Sequence, residues 1–290
     1  RRTLGLVGAG AGVAAAAVTA DLLTGSWLQL NGVVGYSASD GGRYIGISDI
    51  GLGVLIAGTL LVAGCLAEQV PRRRRPLMVM LVGAVGVVVA GSPYLGDDIG
   101  GAVALLAGVC VAAALSIGGW LAMQRVAWPA LLGTAVVAVV ALLDLRRPVE
   151  ARTGLAGMLT QLADGTSGYG LQRVSQANLD SFLATPLTVL ALGAAAFLWF
   201  ALLRPWGGLK RLFGIHPALR AAMVGGVVAT LTGGVLVGAA LTVAGAAAAV
   251  GLPLLTLAAL RLRVRSAQRI RLDPRLPMPP AGVYPHPPPR

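Results

Sequence analysis

Nearly uncharged apolar stretches of about 18 to 25 residues recur along this chain, and they constrain its fold more than any other feature. A helix of that length crosses the roughly 30 Å of hydrocarbon in a bilayer. Runs near 4–23, 46–67, 77–91, 99–122, 128–145, 186–203, 218–234 and 239–260 predict an all-α, polytopic transmembrane helical bundle of about eight spans. The third run is short, and the last two share one apolar tract broken only around Thr232–Gly233–Gly234, so seven and nine are the neighbouring counts. A very large soluble core is the competing explanation. It fails on charge, because only 12% of the 290 residues are charged, against about 25% in soluble domains.

Small residues point the same way. The 41 glycines would weaken soluble helices, yet membrane helices use small residues to bring backbones close together. Gly8, Gly10, Gly12 and the Gly225–Gly226 pair therefore read as packing surfaces. Cys65 and Cys110 both fall inside predicted spans and read as small buried hydrophobes. His216 sits in a basic loop and His286 in the tail, which excludes histidine-based zinc patterns and leaves carboxylates as the ligands any metal would need.

The net charge of +12 does not indicate nucleic acid, because no aromatic residues are interleaved with the basic runs and those runs flank apolar spans. They set topology. With the N-terminus inside, the cytoplasmic segments carry 18 of the 23 basic residues and the outer segments five: Arg43, Arg146, Arg147, Arg152 and Arg173. The positive-inside rule then holds at every loop in turn. This predicts a multi-pass plasma-membrane protein with both termini cytoplasmic. Residues 1–262 form the membrane domain, with long outer segments at 24–45 and 146–185, and 263–290 form a basic, proline-rich disordered tail. The second outer segment carries Leu155, Met158, Leu159 and Leu162 at helical spacing and predicts short interfacial helices. The chain opens Arg-Arg rather than Met, which reads as trimming or as part of a longer polypeptide. Residues 4–23 lack a small-residue cleavage site and read as a retained first span.

Nine of the eleven acidic residues lie at or beyond the outer ends of spans. Four of them, Asp49, Asp97, Asp98 and Asp144, adjoin or enter apolar spans, where a charge costs about 2.5 to 3.5 kcal/mol at mid-membrane and less near the surface. Asp49 opens a span and Asp97–Asp98 precede one, so helix capping can account for them. Asp144 ends its span, where the dipole repels a carboxylate, and needs Arg146, Arg147 or a cation as partner. The segment from Gly35 to Gly53 adds Tyr36, Arg43 and Tyr44 as donors among glycines, and Gly91–Gly101 forms a second glycine-rich turn on the same side.

These two turns resemble those of a largely uncharacterised family of bacterial multispanning membrane proteins, found in actinobacteria and Firmicutes, with the patterns GYxPxxGxRYxGIGNxxxG and PxLGxxxGG. Gly35, Tyr36, Gly41, Arg43, Tyr44, Gly46, Ile47 and Gly53 match the first, and Pro93, Leu95, Gly96, Gly100 and Gly101 the second. A third patch, Asp144, Arg146 or Arg147, Pro148, Arg152 and Thr153, with Arg173 and Asn178 beyond, resembles the segment before the family's sixth span. The resemblance covers most of residues 30–260. It implies an association with an extracytoplasmic alkaline-phosphatase-like or phosphodiesterase-like domain, attached or as a partner. Ala38, Ser48–Asp49, Gly154 and Thr232–Gly233 depart from the pattern.

Taken together, the expectation is an outward-facing polar pocket for a phosphate-bearing ligand such as a polyprenyl-phosphate, a phospholipid head group or a lipid-linked envelope glycan. Its ligand-binding set is Tyr36, Arg43, Tyr44, Asp49, Asp97, Asp98, Asp144, Arg146, Arg147 and Arg152. The arginines would grip the anion through their planar forks. Asp49, Asp97 and Asp98 would orient them or hold a divalent cation, and no other cofactor is evident. No nucleophile is paired with a base, so the sequence does not define an enzyme. A transporter or channel using intramembrane carboxylates is the second class, weakened by the confinement of the acids to one surface. A structural anchor docking other helices is the third.

Overall fold

The computed structural model describes residues 2–29, 46–92, 94–117, 207–237 and 240–271, with isolated residues and residue pairs between 145 and 197. Among the described residues are seven α-helices and no strand: α1 (Arg2–Leu23), α2 (Asp49–Ala67), α3 (Arg75–Gly91), α4 (Ile99–Ser116), α5 (Gly207–Ile215), α6 (Pro217–Val237) and α7 (Ala240–Arg271). A 3-10 turn, Arg72–Arg74, leads into α3. The expected spans at 128–145 and 186–203, the outer interfacial helices and the tail beyond Arg271 lie almost wholly outside the described residues.

Among the described residues five helices are long and apolar enough to cross a membrane, or six if the bent pair α5–α6 counts as one span. Their surfaces agree with a hydrocarbon solvent. On α3, Leu77, Leu81, Val85 and Val88 form a stripe in which every side chain is more than half exposed, while Val79, Gly83, Gly86 and Ala90 face inward. Such a contiguous apolar stripe is rare on a monomer in water. The protein is a helical membrane protein.

Helix α2 is the hub, packed against α1, α3, α6 and α7. Its Leu52, Leu55, Ile56, Leu60 and Leu61 are almost completely buried. Against it α1 lays Ala11 and Ala15: a Cβ on Gly58 would come 2.8 Å from the Ala11 carbonyl oxygen and from the Ala15 Cβ. Gly8 and Gly12 of α1 likewise face Cys65 and Val62, while Gly10 meets Leu254 of α7. The most extensive helix pair is α4 with α6, which crosses on small residues. A Cβ on Gly108 would lie 2.4 Å from the Gly225 carbonyl oxygen, and one on Gly225 would lie 2.4 Å from that of Gly108. Ala112 and Ala229 complete the crossing, and Gly233 continues it opposite Ala104. Both helices thus present small residues every fourth position along an antiparallel seam.

That packing sorts the charged residues into two ends. The starts of α2 and α4, with Asp49, Asp97 and Asp98, share one end with Asp21 at the finish of α1. The other end carries Arg72–Arg75, Lys210, Arg211 and Arg220. Trp27 and Tyr94 are both largely exposed at the acidic end, a position suited to the headgroup layer.

Two boundaries differ from expectation. The break foreseen at Thr232–Gly233–Gly234 does not occur, since α6 continues through it to Val237 and α7 starts at Ala240. Glycine there is a contact surface against α4 rather than a helix breaker, as membrane helices permit. Helix α7 also runs on to Arg271, into the segment expected to be tail. Residues 261–271 contain no glycine or proline and several good helix formers, which lets the last span continue.

Candidate functional site

The acidic end is built from the two turns that carry the sequence patterns. Before α2, Ser48 is the N-cap, and its Oγ accepts from Gly51 N at 3.1 Å. Gln29, a buried residue from the loop after α1, accepts from Ser48 N at 3.0 Å and from the Ser48 hydroxyl. A Cβ at residue 51 would lie 2.4 Å from Gln29 Oε1, so any larger residue than Gly51 would push the Gln29 amide aside. Asp49 therefore is not the cap. It occupies the first turn of α2, where a carboxylate still complements the helix dipole.

The second turn folds back onto α3. Gly96 N donates to Val89 O at 3.0 Å, Asp97 N to Ser92 O at 2.9 Å, and Asp98 N to Ala90 O at 3.0 Å. Asp97 takes a left-handed conformation, φ 46°, which Asp tolerates better than most residues. Asp98 is the N-cap of α4, accepting from Gly101 N at 2.8 Å. The capping expectation holds for Asp98 and passes from Asp49 to its neighbour Ser48. Ile47 N donates to Gly96 O at 2.8 Å, which ties the first turn to the second. That one backbone bond places the segments leading into α2 and α4 side by side.

Of the expected ligand set, Asp49, Asp97 and Asp98 lie at this joined end. Among the described residues no three of the acidic, His or Cys side chains gather closely enough to hold a metal ion, so these three aspartates do not form a shared cage. Arg146 is an exposed turn residue, and Tyr36, Arg43, Tyr44, Asp144, Arg147 and Arg152 lie outside the described residues.

Sequence reasoning missed three features. Gln29, the buried polar link between α1 and α2, had no signal beyond its place in a glycine-containing loop. Helix α5 was read as loop, although Leu209, Leu212 and Phe213 follow helical spacing and are buried. It meets α6 at an elbow of 105° centred on His216. The third feature lies at the basic end, where the Glu68 carboxylate accepts from Arg75 at 2.8 Å and from Ala218 N at 2.6 Å. Glu68 thereby neutralises Arg75 and caps the start of α6, whose N-terminus attracts a negative charge. Burial lowers the pKa of His216 at this elbow, with Arg75 acting the same way and Glu68 opposing.

A cavity of about 240 Å³ lies between α2, α6 and α7, with Ile56, Leu60, Met223, Val227, Ala247 and Gly251 among its walls. Thr230, also on its wall, turns its hydroxyl to Val227 O at 3.0 Å, so its polar atom is satisfied within α6. The lining is hydrocarbon. Apolar cavities of even about 150 Å³ stay dry and accept benzene.

A helical integral membrane protein, with two interlocked turns at its acidic end and an apolar cavity among its helices, is the class these features define. No family model matches the chain, and neither a curated protein nor a solved structure matches it.

Proposed function

We propose that this protein is a plasma-membrane module that binds a phosphate-bearing envelope lipid, with its acidic end facing outward. The head group sits at the joined turns, held by Arg43, Arg146, Arg147 and Arg152 and bordered by Tyr36, Tyr44, Asp49, Asp97, Asp98 and Asp144. One hydrocarbon chain enters the cavity between α2, α6 and α7. An extracytoplasmic phosphatase-like domain, attached or as a partner, would act on the lipid or on the glycan it carries.

The cavity is the observation that carries this reading. Ile56 on its wall is seven residues along α2 from Asp49, about 10 Å at 1.5 Å per residue. A lipid anchored at the turns can therefore reach it. Moving a chain from bilayer to cavity brings no hydrophobic gain, only closer packing. The arginines must supply most of the affinity, and the cavity selects the chain. The hydrocarbon lining also offers nothing to an ion in transit, which weighs against conduction along this route.

Two glycines give a clean test. Around Gly251 nothing lies within 4 Å of an added Cβ, and at Gly226 the nearest atom is Leu60 Cδ1 at 3.9 Å. Gly226→Leu and Gly251→Leu should fill the cavity without displacing backbone. The expected result is a fully folded protein, at least as heat-stable as the parent, that retains less anionic lipid than the parent by native mass spectrometry. Retention equal to the parent in both variants would rule out the cavity as the chain site.

A further inference from the structure

At the acidic end one carboxylate is not provided for by the helices around it. Asp21 lies in the last turn of α1, at the negative end of the helix dipole, and no basic residue shares that turn. It is only 7% exposed. Its Oδ1 accepts from Leu28 N at 2.9 Å, whereas Oδ2 is buried without a partner. Ser26, fully buried at 0% exposure, also has an unpartnered side-chain oxygen.

The backbone brings these two residues together. Gly25 adopts φ 106°, and Ser26 N donates to Asp21 O at 2.8 Å. This is the closing 6→1 bond of a Schellman motif, so Asp21 and Ser26 are joined through their backbones. Two buried oxygens without hydrogen-bond partners thus belong to one helix end, where dipole and desolvation both oppose a bare negative charge.

We propose that Asp21 Oδ2 and Ser26 Oγ ligate a monovalent cation of the sodium class. The ligands are oxygens, which suit a hard cation. One carboxylate balances one positive charge, so a monovalent ion leaves the buried site neutral, whereas a divalent ion would leave an excess charge in a low-dielectric setting. The C-terminal carbonyl groups of α1 add their negative potential to the same spot. This site takes a cation and uses none of the arginines assigned to the head group, so it stands or falls independently of the lipid reading.

The test uses the full chain in nanodiscs of neutral lipid, with choline chloride keeping ionic strength constant while sodium or potassium chloride is raised. Sodium should increase the Tm in a saturable manner that choline does not reproduce, and potassium should need a several-fold higher concentration. Asp21→Asn keeps the acceptor for Leu28 N and should lose the sodium-dependent shift entirely. Ser26→Ala should raise the half-saturating sodium concentration about tenfold, and it serves as the deciding variant if Asp21→Asn does not fold. Superimposable sodium and choline titrations of the parent would overturn the proposal, as would an unchanged midpoint in Ser26→Ala. Stabilisation by acid alone, with no sodium dependence at any pH, would instead assign a proton to Asp21 and also overturn it.

Discussion

Glu68 and Asp21 are both buried carboxylates next to a helix terminus, and their surroundings are opposite. Glu68 has a side chain only 4% exposed, and both of its oxygens are engaged, one by Arg75 and one by the first turn of α6. Asp21 has one oxygen engaged and one without a partner, at a helix end that disfavours it. Among the described residues, Arg75 Nε is the one buried side-chain atom at the basic end without a partner. A closed ion pair reads as a staple between elements, whereas an open carboxylate reads as a place for something the helices do not supply.

The largest effect expected is all-or-none and concerns which end faces out. A reporter active only outside the plasma membrane should be active when fused after Gly165 and silent when fused after Arg74 or at Arg290. Activity at Arg74 would invert the molecule and place the acidic end in the cytoplasm.

Next in size is the staple itself. Glu68→Gln leaves Arg75 buried without its countercharge, and breaking a buried pair costs about 3 to 5 kcal/mol. A large drop in Tm in detergent is expected, with part of it recovered by adding Arg75→Met. An unaltered Tm would show the basic end to be no more closed than the acidic one. Asp21→Asn should lower Tm far less when sodium is absent from both samples.

The smallest effect is a pH dependence at the elbow. Burial holds the His216 pKa below its ordinary 6.5, so the folded protein refuses a proton that the unfolded chain accepts. Stability is then complete above pH about 6.5, falls as the pH drops through that window, and levels off below the folded pKa. His216→Gln should flatten this part of the Tm profile. A parent profile that stays flat between pH 7 and 5 would show that the elbow is open to water.

Much of this was legible from residue order. Composition and run length required a bilayer, and Ser48 and Asp98 stand where caps must stand to open α2 and α4. Hydrophobic periodicity reports a helix's own surface and nothing of its neighbours. That is why Gly225 and Gly226 look alike in sequence yet differ in the fold, one pressed against the backbone of Gly108 and the other facing the cavity. Similarly, Asp49 looked like a cap because a carboxylate opens the span, but the backbone at Ser48 has the extended conformation that a cap requires.

By itself the sequence determined the solvent, the long apolar helices among the described residues and the sorting of charge between two ends, because apolar length, helix propensity and positive charge act locally along the chain. Only the tertiary structure decided which carboxylate is closed and which is open. Partners such as Ala218 for Glu68, 150 residues away, meet only when α2 and α6 pack. An orphaned oxygen such as Asp21 Oδ2 is defined by everything that fails to reach it, which no local pattern can state.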